Sequence, residues 1–195
     1  MLTSAPSKKP EFQLCVRKVG ELTGKLHSLG PGDQLFVRGP LGHGFGKEAM
    51  ARLKGKHLLF IAGGLGYAPV RSLINTVLKK PKDYKKISIL YGCKFPAERL
   101  FTDELEEIAQ MKGNVEFLET VDKPDESWEG NCGVITTLIP KVEVDPAETM
   151  AIVVGPPVMY KFVLVSLFER KVPSENIYLS LERRMRCGVG KCGHC

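Results

Sequence analysis

No stretch of this 195-residue sequence approaches the roughly 20 consecutive apolar residues of a membrane-spanning helix, so no membrane span is expected. Histidine is scarce: His27, His43, His57 and His194 are the only four, and none of the first three has an obvious partner. That excludes a recognisable nucleophile–base constellation and leaves those three as structural or surface residues. Six cysteines are too few for a disulfide-stapled secreted domain, and no signal-peptide pattern precedes them, which points to a cytoplasmic setting. The formal charge of +6 is mild and spread along the chain. It permits an acidic partner surface and gives no reason to invoke nucleic acid. Repeats and low-complexity tracts are absent.

What is present is concentrated at the carboxyl end. Cys187, Cys192 and Cys195 follow the spacing C-x4-C-x2-C, that of a plant-type [2Fe–2S] site, which uses a fourth cysteine further along. Gly188, Gly190 and Gly193 would let the backbone turn tightly enough for the thiolates to converge. A zinc site with His194 or a partner's residue as fourth ligand, or three free thiols in a tail, fits the same residues, although adjacent His194 and Cys195 are awkward on one ion. Arg183, Arg184, Arg186 and Lys191 surround the cysteines, where they would offset a negative cluster or guide an acidic redox partner. Cys15, Cys93 and Cys132 read as small buried or half-buried side chains.

The chain reads in three parts. Residues 1–50 carry β-type signals, with strands over Phe12–Val19 and Gln34–Arg38, a turn at Gly30–Asp33, and a short helix that Thr23 would cap. Residues 54–180 alternate strand and helix. Strands are expected at His57–Ala62, Lys86–Tyr91, Val115–Val121, Ala151–Val154 and Ile177–Ser180, with helices at Pro69–Lys80, Thr102–Met111 and Pro157–Arg170. That alternation predicts an α/β fold with a doubly wound parallel sheet, which binds nucleotides at the carboxyl ends of its strands. Residues 181–195 begin the cysteine segment. The basic run from Lys79 to Lys86 fits a helix end and a solvated loop.

One turn stands out. Gly63-Gly64-Leu65-Gly66-Tyr67-Ala68-Pro69 follows the first strand and opens its helix, where glycines admit a pyrophosphate to unpaired N–H groups. With Val70-Arg71-Ser72 it resembles the nicotinamide-nucleotide loop of the ferredoxin–NADP reductase superfamily. Gly155-Pro156-Pro157-Val158-Met159 resembles that superfamily's second glycine motif, on the nicotinamide side. Tyr91-Gly92 followed by Phe101-Thr102-Asp103-Glu104-Leu105 resembles its second strand and following helix. Leu181-Glu182-Arg183-Arg184-Met185, leading into the cysteines, is similar to electron-transfer subunits with a carboxyl-terminal [2Fe–2S] site. These include the gamma subunit of sulfhydrogenases and related nickel–iron hydrogenases, and the corresponding subunits of anaerobic sulfite reductase and dihydroorotate dehydrogenase B.

The resemblance implies a flavin-binding β-barrel ahead of the nucleotide domain. Leu2-Thr3-Ser4-Ala5-Pro6 resembles the segment after its R-P-[FY]-S flavin loop, with Met1 where the serine would stand. Gly20-Glu21-Leu22-Thr23 matches its G-x-x-[ST] stretch, implying that Gly20 and Thr23 hold the FAD pyrophosphate. Arg38-Gly39-Pro40-Leu41-Gly42 matches its barrel exit. The expectation is therefore a piece of a longer subunit, with a partial barrel and a truncated cluster segment. It would pass electrons between NAD(P)H, FAD and [2Fe–2S] to or from a catalytic or iron–sulfur partner subunit. No side chain is needed as an acid–base catalyst; Asp33 fits a turn, and Glu182 an exposed edge beside the cluster. A stand-alone ferredoxin or flavin reductase, or a non-catalytic nucleotide-binding fragment with a zinc site, are the rival readings. Lys94 and Arg99 follow the second strand, where a 2′-phosphate would be met, and NADH versus NADPH stays open.

Overall fold

A computed structural model describes residues 2–6, 10–39, 41, 44–181 and 185–194. The expectations placed on Met1, Pro40, Gly42, His43, Glu182, Arg183, Arg184 and Cys195 lie outside the described residues.

Six strands form one parallel sheet: β1 His57–Gly63, β2 Lys86–Cys93, β3 Val115–Val121, β4 Asn131–Cys132, β5 Thr149–Val154 and β6 Ile177–Leu179. Their order is β4-β3-β2-β1-β5-β6. All five pairings are parallel. The chain builds outward from β1 to β4, then returns to the other side of β1 for β5 and β6. β1 is central and buried along its whole length, which is why it reads as a continuous apolar run. Its side chains alternate between two cores. Leu58, Phe60 and Ala62 point to one side of the sheet, Leu59 and Ile61 to the other.

Among the described residues five α-helices complete the fold: α1 Glu21–His27, α2 Lys47–Leu53, α3 Tyr67–Leu78, α4 Thr102–Ala109 and α5 Pro157–Glu169. The first core is closed by α3, through Tyr67, Val70, Leu73, Ile74 and Val77, by Leu105 and Ile108 of α4, and by Leu53 of α2. The second is closed by Met159, Val163 and Leu167 of α5 and by Ile135, Leu138 and Ile139 of a 3₁₀ segment, Ile135–Lys141. Each such side chain, fully buried, stabilises the fold by about 1.5–3 kcal/mol. Helices on both faces make the sheet doubly wound, as the alternation predicts.

The amino-terminal expectations are corrected. Among described residues 2–39 neither Phe12–Val19 nor Gln34–Arg38 forms a strand; the pairing present is an isolated antiparallel bridge from Leu2 to Leu14. A strand exists only with a ladder partner, and an alternating pattern does not say whether one is there. Phe36 is 94% exposed and Phe12 54%, so no sheet face covers them. Thr23 does not cap its helix from outside. The N-cap is Gly20, and Thr23 sits two residues into α1. Its hydroxyl reaches back, accepting from the N–H groups of Val19 (2.9 Å) and Gly20 (3.0 Å). The turn at Gly30–Asp33 forms as expected: the Asp33 carboxylate accepts from Gly30 N–H at 2.7 Å.

Candidate functional site

The winding direction reverses between β1 and β5, and the glycine motifs meet there. β1 ends in Gly63, β2 pairs Gly92 directly beside it, and Gly155 follows Val154 of β5, whose partner is Ala62. Three neighbouring strands thus present a glycine at or just past their carboxyl ends. The result is a shelf of bare backbone at the topological switch point, where open α/β sheets bind their ligands.

Each glycine has its own steric reason. A Cβ on Gly66 would overlap the Val154 carbonyl, with the Val154 carbon at 2.7 Å and Gly155 Cα at 2.9 Å. The turn after β1 therefore lies directly on the exit of β5. A Cβ on Gly63 would sit 2.5 Å from Met159 Sδ, and one on Gly92 3.0 Å from Ile135 Cβ. Met159 is 8% exposed and lies under Gly63 and Gly155, so it backs the shelf from the second core. Gly64 differs: it has φ +53° and open space where a side chain would be, so its backbone faces outward unobstructed. Gly66 is the N-cap of α3, with no side-chain cap, and Pro69 falls in the first helical turn, where its missing N–H is harmless. Ala68 is buried, whereas Pro156 and Pro157 are exposed beside the shelf.

A polar hub beside α3 was not legible in the sequence. Arg71 Nε donates to Glu104 at 2.8 Å, and its Nη1 reaches Gln13 Oε1 at 2.7 Å and the Thr3 carbonyl at 3.3 Å. Its guanidinium lies 4.3 Å from the Phe101 ring centre. Phe101 adopts a left-handed conformation at the N-cap of α4, costly for a bulky residue and compensated by these contacts. The Tyr67 hydroxyl donates to Glu104 at 3.3 Å; burial first, then the Glu104 charge, raises its pKa far above the usual 10. Through Arg71, the helix that opens the glycine turn also holds residues 3 and 13. Tyr160 does similar service on the other side, accepting from Gly155 N–H (3.3 Å) and donating to the Ser180 carbonyl.

Cys187 is half-buried and Cys192 exposed; Cys195 lies outside the described residues. Gly188, Gly190 and Gly193 all have positive φ, a conformation that glycine adopts without strain. Arg38 donates to the Cys187 carbonyl at 2.6 Å, tying the loop to the amino-terminal part. N–H groups of Val189 and Cys192, then the Cys192 thiol, lower the Cys187 pKa to about 6. No three His, Cys, Asp or Glu side chains converge among the described residues. Gly20 is exposed and has no side chain to cap α1, leaving its first-turn amides available, whereas the Thr23 hydroxyl is occupied within its own turn.

Two expectations change on partners. Arg99 is a bidentate partner of Glu119 (3.0 and 3.0 Å) and lies over Trp128, so its charge is already matched. Lys94 is exposed beside Phe95. His57 is not partnerless: Nε2 lies 3.0 Å from Ser88 Oγ and Nδ1 3.3 Å from Thr149 Oγ1, on the strands flanking β1. His27 contacts the Val16 carbonyl at 2.8 Å. Cys93 is buried, its thiol pushed up to about 11 by burial, then by Glu119 and Glu98; Cys132 is exposed, contrary to expectation, because β4 is a two-residue edge strand. A cavity of about 550 Å³ runs along α3 and α4, lined by Ala5, Asn75, Glu104 and Met111 among others. It lies away from the strand ends and none of the glycine-motif residues lines it.

A doubly wound parallel sheet with a glycine shelf at its switch point defines a dinucleotide-binding domain. Residues 60–164 match the family described as oxidoreductase NAD-binding domain. The chain is 40% identical to sulfhydrogenase 2 subunit gamma of Pyrococcus furiosus, over all of this chain and 69% of that protein. It is 33% identical to a probable dihydroorotate dehydrogenase B (NAD(+)) electron transfer subunit of Methanothermobacter thermautotrophicus, over 96% of this chain and 62% of that one. The chain thus spans about two thirds of the length of these relatives. Among solved structures, it superposes on an NADH-dependent reduced ferredoxin–NADP oxidoreductase with TM-score 0.74 and 28% identity, covering 100% of this chain and 64% of the other. The cytochrome b5 reductase domain of Ulva prolifera nitrate reductase gives TM-score 0.67 and 26% identity, over 83% of this chain and 64% of that one. The chain belongs to the ferredoxin–NADP reductase-like oxidoreductases, alongside sulfhydrogenase gamma and dihydroorotate dehydrogenase B electron-transfer subunits.

Proposed function

We propose that this chain is the nucleotide-binding part of a cytoplasmic electron-transfer subunit that exchanges electrons between NAD(P)H and a partner catalytic or iron–sulfur subunit. The partner would belong to a hydrogenase, sulfite reductase or dihydroorotate dehydrogenase complex. The single observation that carries the reading is the glycine shelf of Gly63, Gly92 and Gly155 at the switch between β1 and β5. Bound NAD(P)H and FAD would supply hydride chemistry and a [2Fe–2S] cluster one-electron chemistry; the protein's task is to bind and orient them.

In this reading Gly64 and Gly66, with the uncapped amino end of α3, receive the pyrophosphate. Ala68 and Pro69 shape that first turn. Gly63, Gly92 and Gly155, whose side chains would run into Met159 and Ile135, let the strand ends pack closely below the nicotinamide side, with Met159 supporting the shelf from beneath and Pro156 and Pro157 exposed at its edge. Gly20 and the first-turn amides of α1, rather than the engaged Thr23 hydroxyl, face the FAD phosphates. Cys187, Cys192 and Cys195 hold the cluster, and the low pKa of Cys187 suits thiolate ligation. The corresponding division is a barrel-derived part at 1–50, the nucleotide domain at 54–180 and the cluster segment at 181–195.

The test is anaerobic purification of the chain, followed by titration with NADH and with NADPH while absorption, flavin, iron and zinc are measured on one sample. Saturable nucleotide binding together with flavin or iron–sulfide absorption is the expected result. Nucleotide binding alone would confine the reading to 54–180. Zinc in place of iron would remove the cluster, and no binding of either nucleotide would remove the proposal.

A further inference from the structure

The outer side of α5 is built unlike that of any other helix packed on the sheet. Its inner side, Met159, Val163 and Leu167, fills the second core. Its solvent side carries Val158, Phe162, Val165 and Phe168, which are 69%, 56%, 49% and 51% exposed. These are spaced i, i+4, i+7 and i+10, one continuous stripe. α3 and α4, with one apolar side each buried in the first core, turn Ser72, Asn75 and Thr76, and Asp103, Glu106 and Glu107, away from it. Apart from Lys161, Ser166 and Glu169, α5 is apolar on its outer side as well as its inner one, the pattern of a helix covered on both sides in its working state. The stripe is flanked by one cation and one anion, exposed Lys161 near its start and exposed Glu169 at its end.

We infer that α5 is a self-association surface, and that it packs antiparallel against α5 of a second copy of this chain about a two-fold axis passing near Val165. The charges argue for this occupant. With Val165 facing its own equivalent, Phe162 lies opposite Phe168 of the second copy, and Lys161 lies opposite Glu169. The symmetry repeats both contacts, so a dimer gains two Lys–Glu pairs at the ends of a continuous apolar seam. A parallel arrangement would set Lys161 against Lys161 and Glu169 against Glu169. Isologous contacts of this kind close on themselves and do not propagate. One helix face is small against the standard interface, so the dimer is concentration-dependent. The inference rests on α5 alone and is independent of the nucleotide reading.

The experiment is sedimentation velocity on the 195-residue chain from low to high micromolar concentration. The variants are Phe162→Glu, Lys161→Glu and the double swap Lys161→Glu/Glu169→Lys. Wild type is expected to shift from monomer to dimer as concentration rises. Phe162→Glu should remain monomeric. Lys161→Glu sets two like-charge contacts in the seam and should weaken the dimer about ten-fold, with the double swap restoring it. The exchanged side chains all face solvent, and the charge variants keep the proposal testable should Phe162→Glu fold poorly. A chain that stays monomeric throughout overturns the inference. So does association that Phe162→Glu leaves unchanged, which would place it on the exposed apolar side chains of residues 2–45. Failure of the double swap to rescue overturns the antiparallel arrangement.

Discussion

Replacing Gly66 by alanine tests the packing argument at its tightest point. The residue has an ordinary helical φ of −61°, so alanine brings no backbone strain. The obstacle is entirely what the new methyl meets: the Val154 carbonyl group and Gly155 Cα, all backbone. Val154 is 3% exposed and lies in a central strand, so it cannot retreat. The turn must lift by roughly an ångström to restore ordinary contact distances. Overpacking of this kind costs about 1–3 kcal/mol. A displacement of that size at a positioning loop is also worth about 100-fold in function. Urea unfolding monitored by circular dichroism, with NADH titration on the same variant, reads both. The expected result is a midpoint shift equivalent to at least about 1 kcal/mol, together with a large loss of nucleotide affinity. Wild-type stability and affinity in Gly66→Ala would refute the claim that the two glycine loops are in direct backbone contact.

Further predictions follow from other parts of the molecule. Arg71→Met removes a guanidinium whose ion pair with Glu104 is mostly buried (side chains 13% and 19% exposed), at a cost of about 2 kcal/mol. Hydrogen exchange should show protection lost at the Thr3 and Gln13 amides while β1 and β5 stay protected; unchanged exchange at those two would mean Arg71 does not hold that segment. Burial, reinforced by Lys86, keeps the His57 imidazole below 6.5, outweighing the opposite pull of Glu116, Glu143 and Asp145. The unfolded chain therefore binds that proton more readily. Stability is full above about pH 6.5 and declines as the pH falls from there to the lowered folded value. His57→Gln should flatten that slope in urea titrations from about pH 7.5 to 5, the range in which histidine titrates; an unaltered slope assigns it elsewhere. In metal-free protein, Cys187 should alkylate with a half-maximal rate near pH 6, while buried Cys93, raised to about 11, stays unmodified at neutral pH. Peptide mass spectrometry reads both sites, and equal labelling of the two would contradict the assignment.

The nucleotide domain was legible because its signals are local. A buried parallel strand must be apolar throughout, and β1 spans His57–Gly63 against an expected His57–Ala62. Glycine turns and helix periods placed α3, α4 and α5 within a few residues. What escaped depends on neighbours that are distant in sequence. The alternation of Phe12–Val19 describes a strand that finds no ladder partner among the described residues. His57 looked isolated because Ser88 and Thr149 lie 31 and 92 residues away, on adjacent strands. Arg99 looked available for a phosphate because Glu119 meets it only across the fold. β4 has two residues, too few to show a period, and the Ile135–Lys141 3₁₀ segment, with Pro140 inside it, carries no α-helical period. For the candidate site, the glycine motifs were readable as motifs, but their alignment on β2, β1 and β5 follows from sheet order. Arg71 stood inside the quoted motif with no local cue to its contacts at residues 3 and 13.

The central claim is that the glycine shelf receives the nucleotide. The most direct measurement is an amide NMR titration of the ¹⁵N-labelled chain with NADH. The account predicts saturable shifts at Gly63, Gly64, Leu65 and Gly66, with Gly92 and Gly155 moving in step, and little change along α4. Shifts confined to the α3–α4 cavity, or none at saturating nucleotide, would contradict it.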